Sequence, residues 1–344
     1  MQIELPISKS IANRLLILQA IHGDELMPVS VAMPDDVIIL HSALQACVEQ
    51  GEEELTIDIG NCGTAARFLT AYLAQRNGKS VVLDGVERMH HRPIGQLVDA
   101  LREIGAQIEY LGKEGFPPLR IKGCALDKHR MVTLNNPLST QFVSALLLIG
   151  SNIQTNSTSP YIIITRKIIQ HYTTQRNSTP HNTIEKDWSS AAFWYEYVAL
   201  HGGEIHMPGL FRNSIQGDKV VADIFAHLGV HTTYTSDGII LSPFASRLSP
   251  HGLTQDFSAC PDLYPAVALT CERLGITLQA TGTESLSIKE SDRLRAVREH
   301  RTEHDHRMAM ALIVAGYPVD DTDCIRKSYP QFLEQRNAVV NLRR

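Results

Sequence analysis

Two short charged segments near the C-terminus have residue types that could bind anions and move protons. The first is Lys289-Glu290-Ser291-Asp292-Arg293, and the second, Asp305-His306-Arg307, opens an apolar segment. On a helix, Lys289 and Arg293 would be four residues apart and share a face, so that two cations point to one place. Arginine suits two-point recognition of phosphate or carboxylate, whereas lysine acts as a point charge or a proton donor. We therefore predict an anion site here, against the alternative of an exposed ladder of mixed charges.

Composition excludes several classes of protein. The chain has 344 residues and a formal net charge of −5, which argues against general nucleic-acid binding but allows a local basic pocket. No stretch approaches the roughly 20 consecutive apolar residues of a membrane-spanning helix, and the N-terminus lacks a secretory signal, so that we expect a cytoplasmic protein that does not enter membranes. Six cysteines without metal-binding spacing indicate reduced thiols and no zinc site.

A weak internal repeat organises the chain. Six segments place a polar or charged group just ahead of an alanine-rich helix; they start near Ser8, Asn61, Ser139, Asp187, Asp262 and Asp305. Amphipathic helices alternate with them, starting near Asp35, Arg92, Lys167, Gly217, Lys289 and Ser328. Short strands such as Ser80–Leu83 and Gly238–Leu241 complete the units. The alternative is chance, because alanine-rich helices are common.

Six units divide naturally into two domains of three. A polar stretch at 173–180 is typical of a loop, and it predicts a hinge near residue 185. We therefore predict a first domain over 9–185 and a second domain formed by 1–8 and 186–344. The plan is that of a pseudo-symmetric α/β protein.

Helix starts are natural anion sites, because their backbone N–H groups are unpaired and the helix dipole is positive there. Four of the six starts add side chains that could hold oxygen ligands; these are Lys9 and Ser10, Thr64, Ser139 with Thr140 and Gln141, and His306 with Arg307. Serine and threonine are also ordinary helix caps, and a lone cation could simply be solvated. No phosphate-binding glycine loop, dinucleotide fingerprint or hydrolase motif is present, and His90-His91 and His304-x-His306 are too unspecific to predict a metal.

The ordered motifs resemble those of the EPSP synthase (3-phosphoshikimate 1-carboxyvinyltransferase) family. The resemblance covers nearly the whole chain and rests on Leu5-Pro6-x-Ser8-Lys9-Ser10, Gly60-Asn61-x-Gly63-Thr64-Ala65, Arg88-Met89-x-x-Arg92-Pro93, Ser139-x-Gln141-Phe142, Lys289-Glu290-x-Asp292-Arg293-Leu294 and Asp305-His306-Arg307-Met308-Ala309-Met310. It implies a two-domain inverse α/β barrel, hinge-connected, with three βαβαββ repeats in each domain. The implied reaction transfers the enolpyruvyl group of phosphoenolpyruvate to the 5-hydroxyl of shikimate 3-phosphate and releases phosphate. The resemblance implies no cofactor and no metal, and a monomer.

The resemblance also implies which residues touch the substrates. For phosphoenolpyruvate they are Lys9, Gly63, Arg92, Gln141, Arg293, Arg307 and Lys327. For shikimate 3-phosphate they are Lys9, Ser10, Arg14, Ser139, Thr140, Gln141, Asp262 and Lys289, with Thr158 and Ser285 as weaker matches. The reaction needs a base for the hydroxyl proton and an acid for the methylene carbon. Our hypothesis is that Asp262 is the base and Glu290 the proton donor. Lys9 would assist the protonation or stabilise the departing phosphate. Because two anionic substrates repel each other and need dehydration, a cleft that closes between the domains is expected.

Three regions look shorter than the repeat requires, namely those before Asn61, before Asp187 and between Arg293 and Asp305. Deleted strands would expose sheet edges and core, which favours segments missing from the sequence as written over true deletions. Two other functions stay open at this point. A UDP-N-acetylglucosamine enolpyruvyl transferase shares the repeat plan but relies on a reactive loop cysteine that has no clear counterpart here, and a non-catalytic anion-binding paralogue is the other.

Overall fold

The computed structural model describes residues 1–175, 184–244 and 252–342. In these residues the α-helices are α1 Lys9–His22, α2 Asp35–Glu49, α3 Gly63–Ala74, α4 Gly95–Glu103, α5 Thr140–Leu148, α6 Pro160–Gln175, α7 Trp188–His201, α8 Val221–His227, α9 Tyr264–Leu274, α10 Arg293–Glu299, α11 His306–Ala315 and α12 Phe332–Asn341. The strands are β1 Leu55–Asp58, β2 Ser80–Asp84, β3 Gln107–Tyr110, β4 Leu119–Lys122, β5 Val132–Thr133, β6 Ile153–Gln154, β7 Ile205–Pro208, β8 Val230–Tyr234, β9 Gly238–Pro243, β10 Gly252–Asp256 and β11 Thr277–Thr281. No helix among the described residues is long and apolar enough to cross a membrane.

The chain folds into two compact units, and each is discontinuous in sequence. The N-terminal unit comprises Ser10–Val31 and Asp36–Asn182. The C-terminal unit comprises Met1–Lys9, Ala32–Asp35 and Thr183–Arg344. The domain limits of 9–185 and of 1–8 with 186–344 stay a prediction.

The N-terminal unit contains one complete βαβαββ repeat. Its sheet has the order β1-β2-β4-β3, in which β1 and β2 are parallel and the remaining pairs are antiparallel. Helices α3 and α4 follow β1 and β2, and β3 and β4 form the closing hairpin. Val81 and Leu83 alternate inward along β2, which fixes the register against the helices. A second, parallel pair joins β5 to β6.

The C-terminal unit has an antiparallel sheet, β7-β9-β8, and a parallel pair, β10-β11. The first residues of the chain complete it, because Gln2 forms a parallel bridge with His206 and Ile7 an antiparallel bridge with Lys186. Helices α7, α9 and α11 pack against one another through small and apolar side chains. The core between them includes both tryptophans of the chain, Trp188 and Trp194, which are fully buried.

Most of the predicted elements are confirmed, and the six alanine-rich helices begin at Lys9, Gly63, Thr140, Trp188, Tyr264 and His306. The strands predicted at Ser80 and Gly238 are present as β2 and β9. The helix predicted near Lys167 already begins at Pro160, since proline suits the first helical turn and the Ser159 hydroxyl accepts the N–H of Tyr161. It runs to Gln175, so the loop predicted at 173–180 is wrong for 173–175, and 176–180 lie outside the described residues.

The shortening predicted between Arg293 and Asp305 is confirmed. After β11 the chain passes through a 3-10 helix to α10 and then directly to α11, with no strand in this described stretch. The parallel pair β10-β11 therefore lacks the antiparallel hairpin that β1 and β2 possess. Whether further segments belong to this region stays a prediction, which an intact mass of the purified protein tests.

Glu196 is a carboxyl buried in the helical core of the C-terminal unit. It lies in the middle of α7 with none of its surface exposed, and neither carboxyl oxygen has a hydrogen-bond partner among the described residues. Burial raises the pKa of Glu196 well above its ordinary value, because the low-dielectric core disfavours the charged form. The folded protein therefore holds a proton that the unfolded chain releases above about pH 4.5.

Replacing this carboxyl is expected to stabilise the C-terminal unit at neutral pH. The contribution of Glu196 is fully present below its unfolded pKa and is lost as pH rises, at about 1.4 kcal/mol per pH unit at most. Glu196→Met should therefore raise the urea midpoint at pH 8 and lose most of this advantage near pH 5, measured by tryptophan fluorescence. Glu204→Met, at an exposed position of the same unit, is the control and should show no such pH dependence. Equal curves for both variants would refute the buried neutral acid.

Candidate active site

Carboxylates and cations gather at the helix starts of the C-terminal unit. Asp305 caps α11 by accepting the Arg307 N–H at 2.9 Å, and Asp187 caps α7 by accepting the Ser189 N–H at 3.1 Å. Asp262 lies in the 3-10 helix that leads into α9. Aspartate at a helix start is favourable because it satisfies unpaired N–H groups and opposes the positive end of the dipole. These local preferences bring several carboxylates together, and cations balance them.

Arg293 is the centre of this cluster. Its guanidinium is 1% exposed and touches three carboxylates. It donates from Nε to Asp305 at 2.8 Å, from Nη1 to Asp262 at 2.8 Å and from Nη2 to Glu290 at 3.2 Å. Burial disfavours the charged guanidinium, but Asp305, Asp262 and Glu290 outweigh it and raise the pKa of Arg293 above its ordinary value. The planar fork of arginine therefore holds both carboxylates that the sequence predicts to be catalytic.

Asp262 is a carboxylate shared by three cations. Besides Arg293, it contacts Arg307 Nη2 at 2.9 Å and Lys289 Nζ at 3.6 Å. Burial opposes its ionisation, but Arg307, Lys289 and Arg293 together hold the pKa of Asp262 well below its ordinary range. In this state Asp262 is ionised and weakly basic. Anions that engage Arg307 and Lys289 would withdraw part of that positive charge and make Asp262 a better proton acceptor.

Glu290 has two cations on opposite oxygens. Lys327 Nζ lies 3.1 Å from Oε1, and Arg293 Nη2 lies 3.2 Å from Oε2. The side chain is 12% exposed, so these pairs are only weakly screened by solvent. The arrangement supplies a carboxyl and an ammonium group side by side.

His306 lies beside Glu290 and is held neutral. Burial, and then the charge of Lys9, lower the pKa of His306 well below its ordinary value. Neither ring nitrogen makes a hydrogen bond to a described residue. Lys9, the first residue of α1, also acts electrostatically on Asp187. These interactions are consistent with the prediction that Lys9 and the charged C-terminal segments serve one site. The roles of the residues stay predictions.

Glu290, Asp305 and His306 have ligand atoms within 4.8 Å of one another, which is the spacing of a metal site. However, Glu290 already pairs with Lys327 and Arg293, and Asp305 pairs with Arg293 and accepts the Ser291 hydroxyl at 3.2 Å. A cation would have to displace these partners. The donor set therefore fits an ion-pair network better than a metal ion.

One expectation about this segment is wrong. Lys289 and Arg293 do not share the face of one helix, because 289–292 connect a 3-10 helix to α10, which begins only at Arg293. Asp292 caps α10 by accepting the Arg295 N–H at 3.2 Å, so the helix cannot start earlier. The two cations nevertheless converge on Asp262, through an extended backbone at Lys289.

In the N-terminal unit, the guanidinium of Arg92 lies directly against Gly63. Gly63 opens α3, and an added Cβ there would lie 2.6 Å from Arg92 Cζ, so that any other residue would require the guanidinium to move. Nε and Nη1 of Arg92 are buried without a hydrogen-bond partner among the described residues. Gln141, in the first turn of α5, donates to the Thr64 hydroxyl at 2.9 Å. A half-buried guanidinium with two such N–H groups, beside a helix start, is a suitable anion ligand.

The other predicted contacts of this unit are less distinctive. Ser139 caps α5 by accepting the Gln141 N–H at 3.3 Å, which is the ordinary role of such a serine, and Thr140 is the first residue of that helix. Arg14 is buried and donates to Thr165, Ser144 and the carbonyls of Ser10 and Tyr161. Burial lowers the pKa of Arg14 to about 10.

The two weaker matches lie one in each unit. Thr158 is an exposed residue just before α6, in the N-terminal unit. Ser285 is half-buried in the 3-10 helix Glu284–Ile288 of the C-terminal unit. Their roles, like that of Arg14, stay predictions.

The sequence did not single out Asp218. It follows Gln216-Gly217 in a 3-10 helix and is buried, and it accepts a hydrogen bond from the Ser189 hydroxyl. In a sequence, an acidic residue at a helix start indicates no more than an ordinary helix cap. Only the fold reveals that Asp218 interacts electrostatically with Asp262 and with Arg307.

Comparison with known proteins decides the family. The sequence profile described as EPSP synthase (3-phosphoshikimate 1-carboxyvinyltransferase) matches residues 25–300 and 297–335. The chain belongs to the EPSP synthase family. A 3-phosphoshikimate 1-carboxyvinyltransferase of Bacteroides fragilis is 37% identical over 390 residues, covering 96% of this chain and 93% of the relative. One from Erwinia tasmaniensis is 32% identical over 412 residues, covering 97% and 94%. Both alignments are longer than the 344 residues of the chain, so these relatives contain segments that have no counterpart in this sequence.

Solved structures confirm the fold. An EPSP synthase from Acinetobacter baumannii, solved at 2.37 Å, superposes with a TM-score of 0.70 and 19% identity, covering 98% of this chain and 95% of that one. The predicted fold class, a two-domain inverse α/β barrel, is thereby confirmed.

Proposed function

We propose that this protein transfers the enolpyruvyl group of phosphoenolpyruvate to the 5-hydroxyl of shikimate 3-phosphate and releases phosphate. Membership of the EPSP synthase family over nearly the whole chain supports the reaction. The observation that carries the mechanism is the buried guanidinium of Arg293, which holds Asp262 and Glu290 together. Addition across a carbon–carbon double bond needs one proton acceptor and one donor at the same place, and these two carboxyls satisfy that requirement.

In the first step Asp262 accepts the proton of the 5-hydroxyl while its oxygen bonds to C2 of phosphoenolpyruvate. The double-bond electrons take a proton at C3 from Glu290, giving a tetrahedral adduct. In the second step the C2–O bond to phosphate breaks, and the leaving oxygen takes the proton that Asp262 accepted. A C3 proton returns to Glu290 as the double bond re-forms, so both carboxyls regain their starting states. The protein supplies charge and orientation, and the proton count balances without a cofactor.

The cations are assigned to the anionic groups of the substrates. Lys289 suits shikimate 3-phosphate, because it contacts the proposed base at 3.6 Å. Arg293, Arg307 and Lys327 suit phosphoenolpyruvate together with Arg92, since phosphate and carboxylate are bound best by cations that need not be desolvated anew. Lys9 would stabilise the departing phosphate. Ser10, Arg14, Ser139, Thr140, Gln141, Thr158 and Ser285 are proposed as further substrate contacts on the resemblance alone.

Phosphate release measured with each acceptor tests the function. We expect release from phosphoenolpyruvate with shikimate 3-phosphate and none with UDP-N-acetylglucosamine, and a non-catalytic paralogue would give none with either. The UDP-N-acetylglucosamine alternative relies on a reactive thiol, and three of the six cysteines are unsuited to that role. Burial raises the pKa of Cys260, Cys271 and Cys324 to about 12, so these thiols stay protonated. Release with UDP-N-acetylglucosamine alone would overturn the proposal.

We further propose that the protein is a monomeric, cytoplasmic enzyme. It would act on small molecules and not on nucleic acid or membranes. The substrates implied by the family are small anions, which need no macromolecular partner. Light scattering on the purified chain tests the oligomeric state.

Gly63→Ala is expected to weaken phosphoenolpyruvate binding without unfolding the protein. The new methyl group would push the Arg92 guanidinium aside, whereas the backbone of a first helical residue accepts alanine readily. Losing one charge-assisted contact is worth about 1.5–3 kcal/mol, so the KM for phosphoenolpyruvate should rise about 10- to 100-fold. Steady-state kinetics at saturating shikimate 3-phosphate measures this change.

Gly51→Ala is the matched control, because an added Cβ there meets open space in the same unit. It should leave the KM unchanged. An unaltered KM in Gly63→Ala as well would remove Arg92 from the substrate site.

A further inference from the structure

Asp218 is a buried carboxyl that the proposed reaction does not use. It lies in the 3-10 helix Gly217–Val220, packed against α7 and continuous with α8. One oxygen, Oδ2, accepts the Ser189 hydroxyl, and the other, Oδ1, is buried and has no hydrogen-bond partner among the described residues. An ionised carboxylate with such an oxygen is costly, whereas a proton removes the charge.

The charged neighbours of Asp218 come from several elements. Three charged groups act on it electrostatically: Asp187 at the start of α7, Asp262 before α9 and Arg307 in α11. The charge of Asp218 in turn helps to raise the pKa of the Cys260 thiol. On its own side, Lys219 donates to a backbone carbonyl, and the α8 residues Asp223 and His227 are exposed. Burial, and then the Asp262 carboxylate, raise the pKa of Asp218 to about 7 against the opposing charge of Arg307. Cys260 stays protonated at neutral pH, because burial raises its pKa to about 12.

Arg307 therefore faces more negative charge than its close ion pair with Asp262 suggests. It contacts Asp262 at 2.9 Å, and its positive charge favours the ionised forms of both Asp187 and Asp218. Asp262 is held ionised by three cations, and Asp187 accepts the Ser190 hydroxyl at 3.0 Å and the Ser189 N–H. Asp218 is consequently the carboxyl of the three whose charge can change most readily near neutral pH.

We propose that Asp218 is a positioning residue that takes up a proton when an anion binds at Arg307, so that anion affinity falls as the pH rises above neutrality. The inference rests on the proposed role of Arg307 as a substrate ligand. A bound anion disfavours a second negative charge close by, which shifts Asp218 towards its neutral form. The neutral carboxyl then leaves the guanidinium to Asp262 and the incoming anion.

The sign of the pH effect follows from linkage. Below pH 7 Asp218 of the empty protein is already protonated, so an anion meets one charge fewer and binds at full strength. Above pH 7 a proton must be taken up with each anion, and the Kd rises by up to tenfold per pH unit until the bound form also ionises. Binding of the anion must therefore absorb protons from the buffer above neutrality.

Sulfate is the probe, because its charge does not change between pH 5.5 and 8.5. Calorimetric titrations of the full chain with sulfate, in two buffers of different ionisation enthalpy, give both the Kd and the number of protons absorbed. We expect a Kd that is constant below pH 6.5 and rises about tenfold by pH 8, with proton uptake largest between pH 7 and 8. Asp218→Asn should bind sulfate with a Kd independent of pH and with no proton uptake.

Asp223→Asn is the matched control, because it removes an exposed carboxylate five residues further along the chain, and it should keep the wild-type slope. Arg307→Gln should abolish the pH-dependent binding, which locates the sulfate. A flat wild-type Kd, a slope that survives in Asp218→Asn, binding indifferent to Arg307→Gln, or no sulfate binding at pH 6 would each overturn the proposal. The wild-type proton uptake decides the matter even if Asp218→Asn fails to fold.

Failure of the proposed function would look different. In that case phosphate release with shikimate 3-phosphate and phosphoenolpyruvate would be absent, while the pH-linked sulfate binding persisted.

Discussion

Asp262→Asn should lower kcat by about a thousandfold while the protein remains folded. The amide keeps an acceptor for Arg293 Nη1 but cannot take the proton of the attacking hydroxyl, and a positioned general base contributes about 10²–10⁴ to the rate. Because Arg307, Lys289 and Arg293 remain available for the substrate anions, the two KM values should change far less than kcat. Initial rates of phosphate release with both substrates varied separate the two effects.

Asp237→Asn is the control for this experiment, since it removes an exposed carboxylate of the same unit that pairs with His206 at 3.3 Å. It should have wild-type kinetics. If Asp262→Asn turned over at the wild-type rate, Asp262 would not be the base, and if only the KM for shikimate 3-phosphate rose, Asp262 would be a binding residue.

Arg293→Met should destabilise the C-terminal unit by about 3–5 kcal/mol, the usual result of removing one partner from a buried charge cluster. Methionine fills much of the volume, so the main cost is that Asp262, Glu290 and Asp305 lose their common cation. Trp188 and Trp194 are the only tryptophans of the chain and both lie in this unit, so fluorescence during urea unfolding reports on it specifically. Because two-state unfolding is not assured for a protein of two units, a reporter confined to one unit is needed.

Arg295→Met is the matched control. This arginine lies in the same helix but is half-exposed and pairs with Glu303, and an exposed pair contributes about 0–1 kcal/mol. Equal unfolding midpoints for the two variants would show that the cluster does not depend on Arg293.

The sequence was sufficient for the starts of the six alanine-rich helices and for the family, because both depend on local signals. A cap such as Asp305, followed by an apolar run, specifies where α11 begins regardless of the rest of the fold. Ordered motifs likewise survive where overall identity is low. The partners of each charged side chain were a different matter.

Long-range pairing explains what the sequence could not provide. The partners of the Arg14 guanidinium include Thr165 and Ser144, which lie more than a hundred residues away in the sequence, so no local pattern predicts them. The spacing of Lys289 and Arg293 suggested that both lie in one helix, but Asp292 caps the helix, which therefore begins only at Arg293. Asp218 is meaningful only beside Asp262, and no local pattern encodes that neighbourhood.

The discontinuous C-terminal unit constrains the order in which the protein can fold during synthesis. Ile3 donates to the His206 carbonyl at 2.8 Å, and His206 donates to the Met1 carbonyl at 2.8 Å, so the first residues made must wait for a partner about two hundred residues later. At about 5–20 residues per second, the ribosome needs roughly ten to forty seconds to deliver it. The N-terminal unit, which lies almost wholly between these partners, can mature during that interval. Lys9, at the junction, reaches its final surroundings only when α7 and α11 have been synthesised.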